Sequence, residues 1–316
     1  MVQAKTKVVA FGGGHGLAAT LTALRDVTPE ITAVVTVADN GGSSGKIREE
    51  FNFLPPGDLR MALAALCGSD AWGQSWAQII QHRFTSSGDL NGHALGNLLM
   101  AALWDSSDDL VAGIDRVGEL LKIVGRVLPM SLDPLDIEGI FKQNKIDQVV
   151  RGQIEVATAK GQLQSLKLLP ENPRVTPQVL EAISGADWLT FGPGSWFSSV
   201  MPHFLMKDLA IAIAESNAKK VMIFNLPEPD GGDEFAGSTP EEHLELVLSH
   251  LPEFKIDIAI ADPTVLSQGN GLQTLVSRCG GELIVADVAK SSDQSHHDWE
   301  KMSSLFANIF GPSLLK

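Results

Sequence analysis

Short apolar runs recur along this chain, separated by longer stretches with the 3.6-residue period of a helix. The runs fall at 8–11, 31–37, 188–191, 221–224, 256–260 and 283–286. They are continuous rather than alternating, which predicts strands buried on both faces. Helical spacing is clear at 17–25, 59–66, 94–103, 110–124, 205–214, 241–251 and 298–310. Strand and helix in alternation predict an α/β fold with a doubly wound, mostly parallel sheet between helical layers. The rhythm breaks in the middle. From about 72 to 124 the pattern is mostly helical, and from 126 to 169 it reads as β structure. There, Gly152-Gln153-Ile154-Glu155-Val156-Ala157, a turn at Lys160-Gly161, and the run from Leu163 to Leu169 predict a hairpin. No Ser/Gly/Pro-rich linker flanks this region. The expectation is one domain over 1–316, with an inserted helical and β-hairpin subregion at about 72–175.

Of 316 residues, 44% are hydrophobic and 20% charged, ordinary for a globular chain. The formal net charge of −14 argues against nonspecific binding to nucleic acid or to an anionic membrane. An anionic ligand therefore needs local donors. Cys67 and Cys279 stand in apolar contexts outside any metal-ligand spacing and read as reduced core thiols. The opening seven residues are short and polar, and no apolar run approaches the roughly 18 residues of a membrane span. A cytoplasmic location without membrane insertion is expected.

Glycine loops follow three of the strand-like runs. The first is Gly12-Gly13-Gly14-His15-Gly16. The second is Asp39-Asn40-Gly41-Gly42-Ser43-Ser44-Gly45, and the third is Gly192-Pro193-Gly194-Ser195. In an open α/β sheet such loops meet at the C-terminal edge of the strands, where ligands bind. Glycine admits a close backbone approach, and a helix start offers free N–H groups to an anion. A phosphate or nucleotide cradle is the functional reading; a tight turn without ligand is the alternative. The first loop departs from a dinucleotide fingerprint, because Leu17 stands where the third glycine belongs. Asp39 closes the second strand, where a ribose hydroxyl could be bound.

Other residues admit two roles each. Ser43 or Ser44 is a ligand donor or the N-cap of the helix carrying Lys46 and Arg48. Asp58 is a site residue or a cap, and Arg60 grips a phosphate or pairs with Glu49 or Glu50. His93 and Asn97 share a helix face. Ser195 lacks the surroundings of a nucleophile elbow and reads as a donor or cap. Thr239-Pro240-Glu241-Glu242 is a capping box. The acidic run Asp230-Gly231-Gly232-Asp233-Glu234 is a weak metal candidate. His296-His297-Asp298 is placed at the start of the last helix, with the two imidazoles diverging and Asp298 as N-cap.

Taken in order, these motifs carry a resemblance. Gly-Gly-Gly-x-Gly, Ala-Asp-Asn-Gly-Gly-Ser-Ser-Gly, Pro-Pro-Gly-Asp-Leu-Arg, Gly-His-Ala-Leu-Gly-Asn-Leu-Leu, Gly-Arg-Val-Leu-Pro and Gly-Pro-Gly-Ser-x-Phe-x-Ser run from about 7 to 310. The chain resembles the bacterial gluconeogenesis factor (YvcK-like) family, a relative of 2-phospho-L-lactate transferase (CofD-like). The resemblance implies a Rossmann-like fold and a cytoplasmic factor linked to cell shape and wall synthesis on gluconeogenic carbon sources. It implies binding of a UDP-sugar such as UDP-N-acetylglucosamine rather than a known reaction, with cell-wall synthesis proteins as partners and homo-oligomers as an option. The ligand is then expected around Gly13, Gly14, Asp39, Asn40, Gly41, Ser43, Asp58, Arg60, His93, Asn97, Gly194 and Ser195. The full expected set adds His15, Gly42, Ser44, Arg48, Gly192, Asn225 and His296.

The chain departs from the family in several places. Asp39-Asn40 replaces the family's usual Asp-Asp, which weakens the case for magnesium. His296 stands at an arginine position and makes a pH-dependent substitute. There is no tyrosine, so stacking on a base or sugar falls to Trp196, Phe197 or another ring. Three readings follow: a non-catalytic nucleotide-sugar sensor, a CofD-like transferase of a phosphorylated group, and a nicotinamide oxidoreductase in last place. No catalytic residue and no metal ligand is assigned.

Overall fold

In the computed structural model, residues 5–107, 109–143, 146–227, 239–266 and 270–310 are described. The acidic run at 230–234 lies outside them. Seven parallel strands form the central sheet: β1 (Val8–Gly12), β2 (Ile31–Val35), β3 (Arg126–Pro129), β7 (Trp188–Phe191), β8 (Lys219–Ile223), β9 (Ile258–Ala261) and β10 (Glu282–Val285). Their order across the sheet is β10-β9-β8-β7-β1-β2-β3. Val8 sits level with Ile31 of β2 on one side and with Trp188 of β7 on the other. Every residue of β1 and β7 is buried, as their continuous apolar runs require. Phe11 and Phe191 stack across this central pair with ring centroids 4.9 Å apart.

The chain winds outward from β1 in two directions. After β1, α1 (Gly14–Arg25) leads to β2, and α2 (Gly42–Phe51) and α3 (Pro56–Ala65) follow. Next come α4 (Ala71–Gln81), α5 (Leu95–Asp105) and α6 (Leu110–Leu121), and then β3. The long helical stretch is thus the crossover from β2 to β3. Beyond β3 stands a second, antiparallel sheet of order β5-β4-β6, built from β4 (Asp136–Gln143), β5 (Ile146–Arg151) and β6 (Gln162–Leu169). The region from about 72 to 175 is therefore divided by β3, which belongs to the central sheet.

The predicted hairpin is corrected here. Its second arm is β6, but 153–157 folds as the short helix α7 (Gln153–Ala157), and β6 pairs with β4. Gly152, at φ +110°, turns the chain out of β5 and into α7. A five-residue window is too short for periodicity to separate helix from strand.

The second half runs through α8 (Pro177–Ser184), β7, a π-helical turn at Trp196–Val200, α9 (Met201–Leu205) and α10 (Lys207–Glu215) to β8. Then come α11 (Pro240–His250), β9, α12 (Gly271–Arg278) and β10. The order reverses at β1 and β7, and right-handed crossovers then put the two sets of helices on opposite faces. The chain ends with a small antiparallel pair, β11 (Ala289–Lys290) and β12 (Asp293–His297), and with α13 (Trp299–Phe310), which packs on α1. His296 and His297 therefore lie on a strand, not on a helix. Asp298 accepts hydrogen bonds from the Glu300 and Lys301 N–H groups at the start of α13. The capping box of α11 is formed as expected. Among the described residues, no single helix is long and apolar enough to cross a membrane.

Candidate functional site

The strand order reverses between β1 and β7, and the loops leaving their C-terminal ends stand where open α/β sheets form their ligand crevice. A cavity of about 650 Å³ opens there, within the range typical of small-molecule sites. Gly13, Gly14 and His15 come to it from the β1 loop, and Pro193, Gly194 and Ser195 from the β7 loop. The two loops interlock. A Cβ on Gly16 would stand 2.1 Å from the Pro193 carbonyl oxygen, and one on Gly13 would stand 2.5 Å from Asp58 Oδ2 and from Thr36 Cγ2. Gly14, at φ +57°, begins α1 in the left-handed region that favours glycine. The N-cap of α1 is Gly13, with no side chain over the helix start. The start of α1 lies at the cavity wall, and its first amide, that of Gly14, is taken by the Asp58 carboxyl.

Asn225, just past β8, clamps the third loop: Gly194 N–H donates to its Oδ1 at 2.9 Å and its Nδ2 donates to Gly194 O at 2.9 Å. Ser195 Oγ accepts from Ser198 N–H and contacts Ser198 Oγ, so it caps the π-helical turn. Asp58, on the first turn of α3, reaches under the β1 loop and accepts the Gly14 N–H. Burial, and next the Asp39 carboxylate, push Asp58 up to about 7; the Gly14 N–H and Arg60 pull the other way. His15 is held below its usual value by burial first, then by His296 and Arg60.

Eight of the nineteen expected residues line the cavity: Gly13, Gly14, His15, Asp58, Gly194, Ser195, Asn225 and His296. The other eleven stand behind or beside it. Asp39 Oδ1 accepts the Gly41 N–H in a tight turn. Gly41 is the N-cap of α2 and Gly42 its first residue, with no side-chain cap bond, so neither Ser43 nor Ser44 is the cap. Ser44 Oγ instead accepts the Gly57 N–H. Asn97 Nδ2 donates to Ser43 Oγ at 3.0 Å, and Ser43 Oγ meets His93 Nδ1 at 3.1 Å. Arg60 is buried and donates to Asn97 Oδ1 at 3.0 Å and to Gln81 Oε1 at 3.4 Å; neither Glu49 nor Glu50 is its hydrogen-bond partner. Asn40 Nδ2 donates to Glu155 Oε2 on α7, and Asn40 Oδ1 is buried without a partner. Arg48 is taken up by Asp136 at 2.8 Å and by the Leu135 carbonyl. Gly192 O accepts the Thr20 hydroxyl.

Of the rings expected to stack, Trp196, Phe197 or another, the two named ones lie in the core. Trp196 and Phe197 are each 1% exposed and cannot stack on a ligand. Trp196 is packed against His243, and its indole N–H goes to the His243 carbonyl. The ring at the cavity is Trp299. Arg25, Gln153 and Lys290 also line the cavity and stand in no site motif of the sequence, and His297, of the His296-His297-Asp298 run, joins them. His297 is held down at about 4 by burial. His296, next to it, pairs with Asp293 at 2.8 Å. Among the described residues, no group of three or more His, Cys, Asp or Glu side chains could hold a metal ion.

Comparison with known proteins adds a lineage. The family model described as "2-phospho-L-lactate transferase CofD" matches residues 8–301. A Mycobacterium tuberculosis protein is 44% identical over 296 residues, covering 92% of this chain and 86% of its own. A Listeria innocua protein named gluconeogenesis factor is 36% identical over 264 residues, covering 84% and 80%. A crystal structure of a UPF0052 family member from Bacillus halodurans superposes with a TM-score of 0.84 at 30% identity, covering 96% of this chain and 99% of that one.

Proposed function

We propose that this chain, which belongs to the CofD family together with bacterial gluconeogenesis factors, binds a nucleotide-sugar of the UDP-N-acetylglucosamine class and acts as a sensor. The observation that carries this reading is the cavity at the β1/β7 reversal, rimmed by glycine backbone and by the start of α1, whose N-cap is Gly13. That rim suits a diphosphate in a chain whose overall charge repels anions. Lys290 adds a cationic group and His296 an imidazole from the β11–β12 pair. Ser195, the hydroxyl that follows the third glycine loop, accepts the Ser198 N–H as a cap of the π-helical turn. The output of such a sensor, wall synthesis and cell shape under gluconeogenic growth through cytoplasmic protein partners, rests on the family and on the relatives' name.

Transfer of a phosphorylated group is the second reading, and one observation favours it. Burial first, and the Asp39 carboxylate second, push Asp58 up to about 7, where a carboxyl can exchange a proton near neutrality. Magnesium enters either reading through the ligand's phosphates, with Asp58 the carboxyl on the cavity wall and Asp39 behind it. Asn40, turned to Glu155, adds no third anion.

Thermal unfolding in parallel with UDP-N-acetylglucosamine, UDP, NAD and a deazaflavin, with and without magnesium, separates the readings. A ligand that binds only the folded chain raises the melting temperature. The sensor reading expects a rise with the UDP compounds and no turnover. Magnesium-dependent product formation would replace it with the transferase.

A further inference from the structure

We infer that the groove running from the glycine rim between α1 and α3 seats a flat heteroaromatic ring of the ligand, with Trp299 as its stacking wall. This rests on the reading above, which puts the ligand's anionic part on the rim. The cavity follows one face of α1, through His15, Ala18, Thr22 and Arg25. At 1.5 Å per residue that face extends for about 15 Å. Facing it, α3 contributes Asp58, Met61 and Ala65 at the spacing of a single helix face. Polar groups mark the two ends, with His15, Asp58 and the Arg60-bound Gln81 toward the rim and Arg25 at the far end. The span between them is largely methyl groups. A hydroxyl-rich sugar laid there would leave its hydroxyls unpaired, whereas a flat ring would not. Arg25 is fixed at the far end by donating to the Ala65 and Cys67 carbonyls.

Trp299 is the first residue of α13 and the only indole on the cavity wall among the described residues. It is 36% exposed, while Met302, Phe306 and Phe310 on the same helix are buried. Trp299 thus heads the same helix stripe as those core side chains, at the end where α13 meets the cavity. Stacking of a base on an aromatic side chain is sequence-tolerant and changes affinity by about tenfold or more. Trp299 then sets which ring-bearing ligands are held, while the glycine rim holds their phosphates.

Calorimetric titration of the full chain and its variants tests this, with UDP-N-acetylglucosamine, UDP, NAD and inorganic pyrophosphate as probes. Trp299→Ala should weaken the ring-bearing probes by about tenfold and leave pyrophosphate unchanged, while Trp299→Phe should stay within about threefold of wild type. Ala18→Leu, which fills the floor with a good helix former, should give the alanine pattern. Equal loss of pyrophosphate and nucleotides in Trp299→Ala, or no loss at all, would overturn the ring seat and leave the nucleotide-sugar reading standing. Trp299-dependent binding of NAD without UDP compounds would keep the ring seat and remove that reading. A wild-type chain that binds none of the ring-bearing probes removes both.

Discussion

Gly16 has no room for a side chain, because its neighbour is the Pro193 carbonyl of another loop rather than a yielding side chain. Gly16→Ala should therefore push the two rim loops apart. A loss of about 1–3 kcal/mol and of the response to UDP-N-acetylglucosamine is expected in thermal unfolding. Asp58 makes a second prediction. Its folded-state value, about 7, lies above the ordinary 3.8, so its contribution is full below about pH 4 and is lost as pH rises through 7. Asp58→Asn, neutral at every pH, should unfold about 2–4 °C higher than wild type at pH 8, with the gap closing by pH 4.5. A constant gap would remove the burial argument. The glycines of the rim were legible in the sequence, since glycine after a strand has a backbone reason to be there. Arg25, Lys290 and Trp299 were not. They occupy ordinary helix and strand positions, and only tertiary packing turns them toward one space.

At the scale of elements, a buried polar relay fastens three helices. Arg60 of α3 holds Asn97 of α5, which holds Ser43 of α2, and all three residues are buried. Asn97→Ala leaves a guanidinium N–H and a hydroxyl with their partner removed, and should cost about 1–3 kcal/mol in urea unfolding. Arg48→Ala severs the tie between α2 and β4 nearer the surface, where side-chain exposure is 18% for Arg48 and 36% for Asp136. Its cost should be smaller, about 0–1 kcal/mol. The reverse ranking would mean that the relay is not what fixes the second glycine loop. The relay also explains why Arg60 and Asn97 stood out in the sequence while lying off the cavity wall. A motif records that residues are needed near a site, and a brace behind the wall satisfies that as well as a ligand contact does. Short elements were the illegible ones. The helix at Gln153–Ala157 and the β11–β12 pair are too brief for either period to declare itself.

Across the whole molecule, His203, His243 and His297 are each held near 4 by burial. In the unfolded chain they take up protons near 6.5, so the unfolded state binds more protons between about 4 and 6.5 and stability falls as pH drops through that window. The Asp58 effect runs the other way, but one carboxyl faces three imidazoles. Urea midpoints should fall between pH 7 and pH 5, and His203→Gln should reduce that dependence; flat midpoints would contradict it. The doubly wound plan was legible because strands buried on both faces leave continuous apolar runs. The place of β3 was not, since four residues ending in proline carry little pattern. The neighbours at the rim are far apart in translation, β1 near the start and β7 past the midpoint of the chain. A nascent polypeptide that has left the ribosome only as far as β3 owns the first loop but nothing to set against it. A small molecule seated in that crevice therefore cannot guide the early steps of folding, and only chains made past β7 offer it a complete seat.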